Sequence, residues 1–151
     1  MQSNSQAGRI DRARFDSARF PFLMEMPVRF EDLDMLGHVN NAAAVAMLQE
    51  ARVAFHRELE LSHFGQGGPR TVVVNMNVEF GAELTYPGVA EIATGILGIG
   101  RTSYTFGQLI RQNGQGAVYA RVTMVATGET GAIQIPDAVR ADFEERCLIG
   151  W

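Results

Sequence analysis

From Thr71 onward the chain divides into four runs rich in Val, Ile, Thr, Tyr, Phe and Ala: Thr71 to Leu84, Gly88 to Ile99, Thr102 to Gln112 and Gln115 to Thr127. Turn residues separate them at Tyr86-Pro87-Gly88, at Gly98 to Arg101 and at Asn113-Gly114, so each run reads as a strand. Asn-Gly between two strands is a strong two-residue hairpin signal. Links this short make neighbouring strands antiparallel, because a parallel pair needs a longer crossover. Upstream, Met24 to Phe30 predicts a further strand. The period then changes: Val45, Leu48, Phe55 and Leu59 fall near helical spacing, joined by Ala44, Met47, Ala51 and Ala54. The spacing predicts a helix from Asn41 to about Glu60, roughly 30 Å long, with Gly65-Gln66-Gly67-Gly68-Pro69 ending it. A helix apolar around so much of its circumference is wrapped by other structure. Pro136 to Glu145 predicts a short second helix opened by proline, followed by a tail from Leu148 to Trp151. Five antiparallel strands and one long covering helix make an α+β domain.

Met1 to about Phe20 carries few apolar residues, at Ile10, Phe15 and Phe20, among Arg, Asp, Ser and Ala. Such a segment is expected to be a loosely ordered extension, leaving a single domain over residues 21–151. Asp11 and Asp16 are out of character for a targeting helix. A length of 151 residues suits one domain with a proper core.

Charge and composition narrow the partners. The formal charge is −4, with 46% apolar and 20% charged residues, which argues against nucleic acid as a partner. All 13 basic residues are Arg, a usage that fits a GC-rich, bacterial genome. The lone Cys147 cannot form an internal disulfide and reads as a packed thiol, and no Cys/His spacing resembles a metal site. No run approaches the roughly 18 apolar residues of a membrane span, and no apolar signal core is evident. The expected location is the cytoplasm.

Chemistry concentrates in Asp32-Leu33-Asp34-Met35-Leu36-Gly37-His38-Val39-Asn40-Asn41, on the connection from the first strand to the long helix. Asp32 and Asp34 supply carboxylates, Gly37 lets the backbone turn, and Asn40 or Asn41 can cap the helix. The first helical turn then offers free N–H groups at the positive end of the macrodipole. Those donors suit a developing oxyanion, with a carboxylate nearby as base or nucleophile. By composition alone, the same residues are also ordinary turn and capping chemistry.

The run from Arg29 through Asn41, continuing to Gln49-Glu50-Ala51-Arg52, resembles the signature of the hotdog-fold acyl-CoA thioesterases of the 4-hydroxybenzoyl-CoA thioesterase type. The likeness extends from about Met24 to Thr127. It implies a sheet curled around the long helix, Asp34 as the catalytic carboxylate and the N–H of Asn41 as the oxyanion donor. It also implies subunits paired edge to edge into a homodimer or homotetramer, with active sites at the interface. Gly37, Asn40, Ala44 and Glu50 are expected around the substrate. Ala44 stands where the family commonly carries an aromatic residue, so the acyl pocket is expected to be wider or differently shaped. Arg101, Thr102 and Ser103 fall where the family holds the coenzyme A portion; by themselves they read as a tight hairpin with a solvated Arg. His38 is expected either to help activate water or to orient the loop, and Glu50 to polarise water or bridge to Arg. His56 and His63 receive no role.

The expected reaction is hydrolysis of an acyl-CoA thioester, aromatic or medium to long aliphatic, with Asp34 attacking the carbonyl or deprotonating water. No metal or organic cofactor is expected, coenzyme A being part of the substrate. A non-hydrolytic acyl-thioester binding module and an acyl-carrier-protein thioesterase are the alternatives. A hydratase, which would want a His-led acid/base pair, fits the Asp-x-Asp loop less well.

Overall fold

In the computed structural model, residues 8–59 and 70–151 are described. The elements are α1 (Arg12–Ser17), β1 (Phe22–Pro27), a 3-10 turn (Phe30–Asp32), α2 (Asn41–Glu58), β2 (Arg70–Phe80), β3 (Val89–Ile99), β4 (Ser103–Gln112), β5 (Gln115–Gly128), β6 (Gly131–Ala132) and α3 (Asp137–Glu145). The sheet runs in the order β1-β3-β4-β5-β2 with every pair antiparallel, and the two-residue β6 is appended to β5. The strand-rich half of the sequence therefore makes the sheet, as its alternating pattern predicts.

Alternation sorts the strand side chains onto two faces. Ala90, Ile92 and Ile96 of β3, Tyr104, Phe106 and Ile110 of β4, and Val118, Ala120, Val122 and Met124 of β5 form one core with Ala44, Met47, Leu48, Ala51 and Phe55 of α2. The antiparallel sheet curls around α2, and the small Ala side chains let its strands approach closely. Phe22, Phe55 and Phe106 pack edge to face in this interior, at ring separations of 5.8 and 5.2 Å. The Asn-Gly signal is realised as the β4–β5 turn, with φ of +52° at Asn113 and +76° at Gly114, the left-handed pair that a two-residue hairpin requires.

Three expectations are revised. β1 ends at Pro27 instead of Phe30: Val28 N–H still bonds the Gly88 carbonyl at 2.8 Å in the β1–β3 register, but Arg29 N–H turns to the Asp32 carboxylate and the next residues coil into the 3-10 turn. β6 adds a short strand to the expected five. The expected loose extension is docked from Ile10 to Phe20. Ile10 N–H and the Arg12 guanidinium both bond Glu79, at 2.7 and 3.0 Å, and Phe15 is fully buried with Ile10, Ala93, Leu109 and Tyr119 on the outer sheet face. Trp151 packs on Phe15 at 4.9 Å and beneath the Arg14 guanidinium at 4.5 Å. The α2 helix runs to Glu58; the expected Gly65–Pro69 turn and His63 lie outside the described residues.

Candidate active site

The loop between β1 and α2 uses its two aspartates differently. Both carboxylate oxygens of Asp32 are taken by Arg29, Oδ2 by the backbone N–H at 2.8 Å and Oδ1 by the guanidinium at 2.9 Å. Asp32 is buried, and the Arg29 hydrogen bond holds its carboxyl below the usual range against the opposing effect of burial. Its carbonyl accepts Asn40 N–H at 2.9 Å, which ties the two ends of the loop together. Asp34 is exposed. Its Oδ1 accepts the N–H groups of Leu36 and His38 at 2.9 and 3.3 Å, while Oδ2 has no partner among the described residues. The chain reverses at Gly37, where φ is +83°, and a side chain there would be strained.

Asn40, and not Asn41, caps α2: its Oδ1 accepts Ala43 N–H at 2.7 Å. Ala43 is the third helical residue, so the N–H groups of Asn41 and Ala42 have no intrahelical acceptor. They sit at the positive end of the helix beside Asp34.

The opposite wall comes from the segment joining β2 to β3. Gly81 and Ala82 N–H both donate to the Ala117 carbonyl, at 2.7 and 3.1 Å, and Val39 N–H donates to the Leu84 carbonyl at 3.0 Å. Gln112 grips Thr85 from both sides, accepting its N–H at 2.9 Å and donating to its carbonyl at 3.0 Å. Between this wall and the loop lies a cleft of about 350 Å³, lined among others by Asp34, His38, Asn41, Ala44, Phe80 and Glu83. Across it, His38 Nε2 meets Glu83 Oε2 at 3.0 Å.

Of the residues singled out in the sequence, Asp34, His38, Asn41 and Ala44 thus meet in one cleft, and Gly37 and Asn40 shape its edge. Glu50 does not reach it. It is exposed on α2, nine residues beyond Asn41, or about 13 Å along the axis. Arg101, Thr102 and Ser103 form the β3–β4 hairpin, closed by Gly100 N–H to the Ser103 carbonyl at 2.7 Å. The site loop leaves β1 beside Val89, at the other end of β3, roughly 30 Å away, so one chain does not bring the hairpin to the cleft. Sequence reading missed Glu83 and Gln112. Glu83 sits in a run that scans as strand, and its partner His38 is 45 residues earlier.

Two further polar groups lie inside the curl. Arg52, buried, donates to Gln108 Oε1 at 2.7 Å, and Gln108 in turn donates to Thr94 and to the Leu48 carbonyl. His56, which received no role, shares a 2.8 Å hydrogen bond with the Tyr104 hydroxyl. Burial pushes its imidazole down to about 4, against the upward pull of the Arg52 backbone. Burial likewise pushes the Cys147 thiol up. Among the described residues no three His, Cys, Asp or Glu gather closely enough to hold a metal ion, and no helix is long and apolar enough to cross a membrane.

Known proteins share this architecture. The chain is similar to the structure of a predicted thioesterase from Bacillus stearothermophilus, with 27% identity, a TM-score of 0.75, and coverage of 83% of this chain and 96% of that one. A thioesterase complexed with coenzyme A and Zn from Thermus thermophilus matches at 26% identity and a TM-score of 0.75, over 83% of this chain and 93% of the other. A thioesterase superfamily structure from Jannaschia sp. CCS1 matches at 26% identity and a TM-score of 0.77, over 87% and 86% of the two chains. No curated protein matches the sequence. The family model described as the thioesterase-like superfamily matches residues 28–143, a span that holds the whole cleft, and the chain belongs to that superfamily.

Proposed function

We propose that this protein is an acyl-CoA thioesterase in which Asp34 and the first N–H groups of α2 carry the reaction. The observation that supports it is one cleft holding a carboxylate oxygen without a protein partner among the described residues and, beside it, helix N–H groups without an intrahelical acceptor. A thioester carbonyl placed there would direct its oxygen to Asn41 N–H and expose its carbon to Asp34 Oδ2. Attack by Asp34, or by water that it deprotonates, builds negative charge on that oxygen, and the C–S bond then breaks with the thiolate as leaving group. A positioned base contributes about 10²–10⁴-fold and one oxyanion donor about 10²–10³-fold. Neither term draws on a metal or an organic cofactor.

The acyl group faces Ala44, Phe80, Leu84 and Val118, an apolar wall with room where a larger side chain would intrude. An aromatic or medium-length aliphatic acyl chain fits such a lining. The coenzyme A present in the Thermus thermophilus structure supports that carrier for this chain as well. Arg101, Thr102 and Ser103 would take part in holding it only from a second subunit. Pairing along β2 would supply one: β2 is the last strand of its sheet, and Val72, Val73 and Val74 are exposed along it.

The test is thiol release from a panel of short, long and aromatic acyl-CoA thioesters by wild type and Asp34→Asn. We expect kcat to fall on the order of 10²-fold or more in the variant, with folding unchanged. Full activity in the variant would move catalysis elsewhere. Tight acyl-CoA binding without turnover by the wild type would make the protein a binding module.

A further inference from the structure

We infer that Glu83 is a positioning residue for the hydrolysis, fixing the His38 imidazole so that its Nδ1 serves as the proton acceptor for the attacking water. This rests on the thioesterase reading and divides its labour: Asp34 forms the bond to the acyl carbon, and His38 serves the water that breaks it.

The geometry carries the argument in three steps. A carboxylate only accepts hydrogen bonds, so the 3.0 Å contact between Glu83 Oε2 and His38 Nε2 places the ring proton on Nε2 and leaves the Nδ1 lone pair available. The imidazole also rides on the loop that carries Asp34. Asp34 N–H donates to the His38 carbonyl at 2.8 Å and His38 N–H to Asp34 Oδ1 at 3.3 Å, so both reactive side chains open into the same cleft.

The third step concerns how Glu83 is held. Its backbone neighbours are fixed on both sides, by Gly81 and Ala82 to the Ala117 carbonyl, by Leu84 to Val39 and by Thr85 to Gln112. The Glu83 side chain itself is 65% exposed and that of His38 36%. A hydrogen bond so open to water adds little to stability. A clamped backbone presenting an exposed acid to an imidazole at the mouth of a reactive cleft is an arrangement for orientation, with the same logic by which a carboxylate fixes the tautomer of a catalytic histidine.

The chemistry balances as follows. Asp34 Oδ2 bonds to the acyl carbon, the C–S bond breaks, and the thiolate leaves. Water then adds to the acyl carbon of the Asp34 anhydride as one of its protons passes to His38 Nδ1. The C–O bond to Asp34 breaks, the acid departs, and the imidazolium, held by Glu83, returns its proton to the thiolate.

The experiment is a kinetic cycle of wild type, Glu83→Ala, His38→Ala and the double variant on the best acyl-CoA of the panel, with thermal melts as a control of folding. We expect Glu83→Ala to lower kcat about 10-fold and His38→Ala about 10²-fold, with KM within about twofold in both. In the His38→Ala background, Glu83→Ala should change kcat by less than about twofold, because its only route to the reaction is gone. Glu83→Gln, which keeps an acceptor but loses the charge, should fall between wild type and Glu83→Ala. Unchanged kcat in Glu83→Ala, an effect on KM alone, or equal losses with and without His38 would each overturn the assignment while leaving the thioesterase reading intact. No thiol release by the wild type would overturn both.

Discussion

At the scale of the residue, two aspartates two positions apart have opposite fates. Asp32 turns inward to Arg29 and closes the loop; Asp34 turns outward with one oxygen tied and the other open. Asp32→Ala is therefore expected to destabilise the fold by about 1 kcal/mol through the lost bonds to Arg29 N–H and the guanidinium. Asp34→Ala should leave the midpoint of urea unfolding within error while abolishing most turnover. The pattern of the sequence marks this loop, and the family likeness points to the second carboxylate. The buried aspartate is the one that closes a capping box with Arg29 three positions earlier, a turn that the strand-like composition of Val28 to Phe30 conceals. Glu83 was illegible because its meaning comes from His38, 45 residues earlier in the chain, and an exposed Glu between two strands looks like any solvated residue.

At the scale of the element, much of the fold was legible because period two and period 3.6 compete for different stretches of chain. The inward-facing set Tyr104, Phe106 and Ile110 alternates cleanly along β4, and the Asn113-Gly114 turn states its own geometry. Boundaries were less legible. Val28 to Phe30 keeps a strand-like composition, yet the chain leaves the sheet at Arg29, whose N–H turns to the Asp32 carboxylate as the 3-10 turn begins. The cleft wall from Phe80 to Thr85 likewise depends on Gln112, which reaches across from β4. Gln112→Ala should loosen Thr85 and, through it, Glu83. The expected outcome is a fall in kcat of about 3–10-fold, with a stability loss of about 1–2 kcal/mol from the Thr85 groups left unpaired. Backbone hydrogen exchange at Thr85, faster in the variant than in wild type, would show that the clamp is the cause.

At the scale of the whole molecule, acidity reaches the core through His56. Its imidazole takes a proton near pH 6.5 in an unfolded chain but only near 4 inside the fold, between Tyr104 and the Arg52 backbone. The unfolded state thus binds more protons across that window, and stability falls as pH drops from about 6.5 to 4, by up to about 3 kcal/mol. Urea titrations of wild type and His56→Gln at pH 7 and pH 4.5 check this: the wild type should lose the larger share of its stability on acidification. The Arg101 hairpin and the cleft lie at opposite ends of β3, so the pairing proposed above is what would bring them together.

The docked N-terminal segment was the least legible part. Ile10, Phe15 and Phe20 are too sparse for any window to register, and Glu79, Tyr119 and Trp151, on which the segment seats, are far along the chain and reach it only through the fold. Yet this patch has a practical side. Trp151 is the one tryptophan of the chain, and its indole is pressed against the Phe15 ring and the Arg14 guanidinium, away from the cleft. Tryptophan emission, excited at the red edge where the three tyrosines do not absorb, is consequently a signal of whether the first helix is seated. Under mild denaturant it would report the lifting of that helix separately from the melting of the barrel-like core.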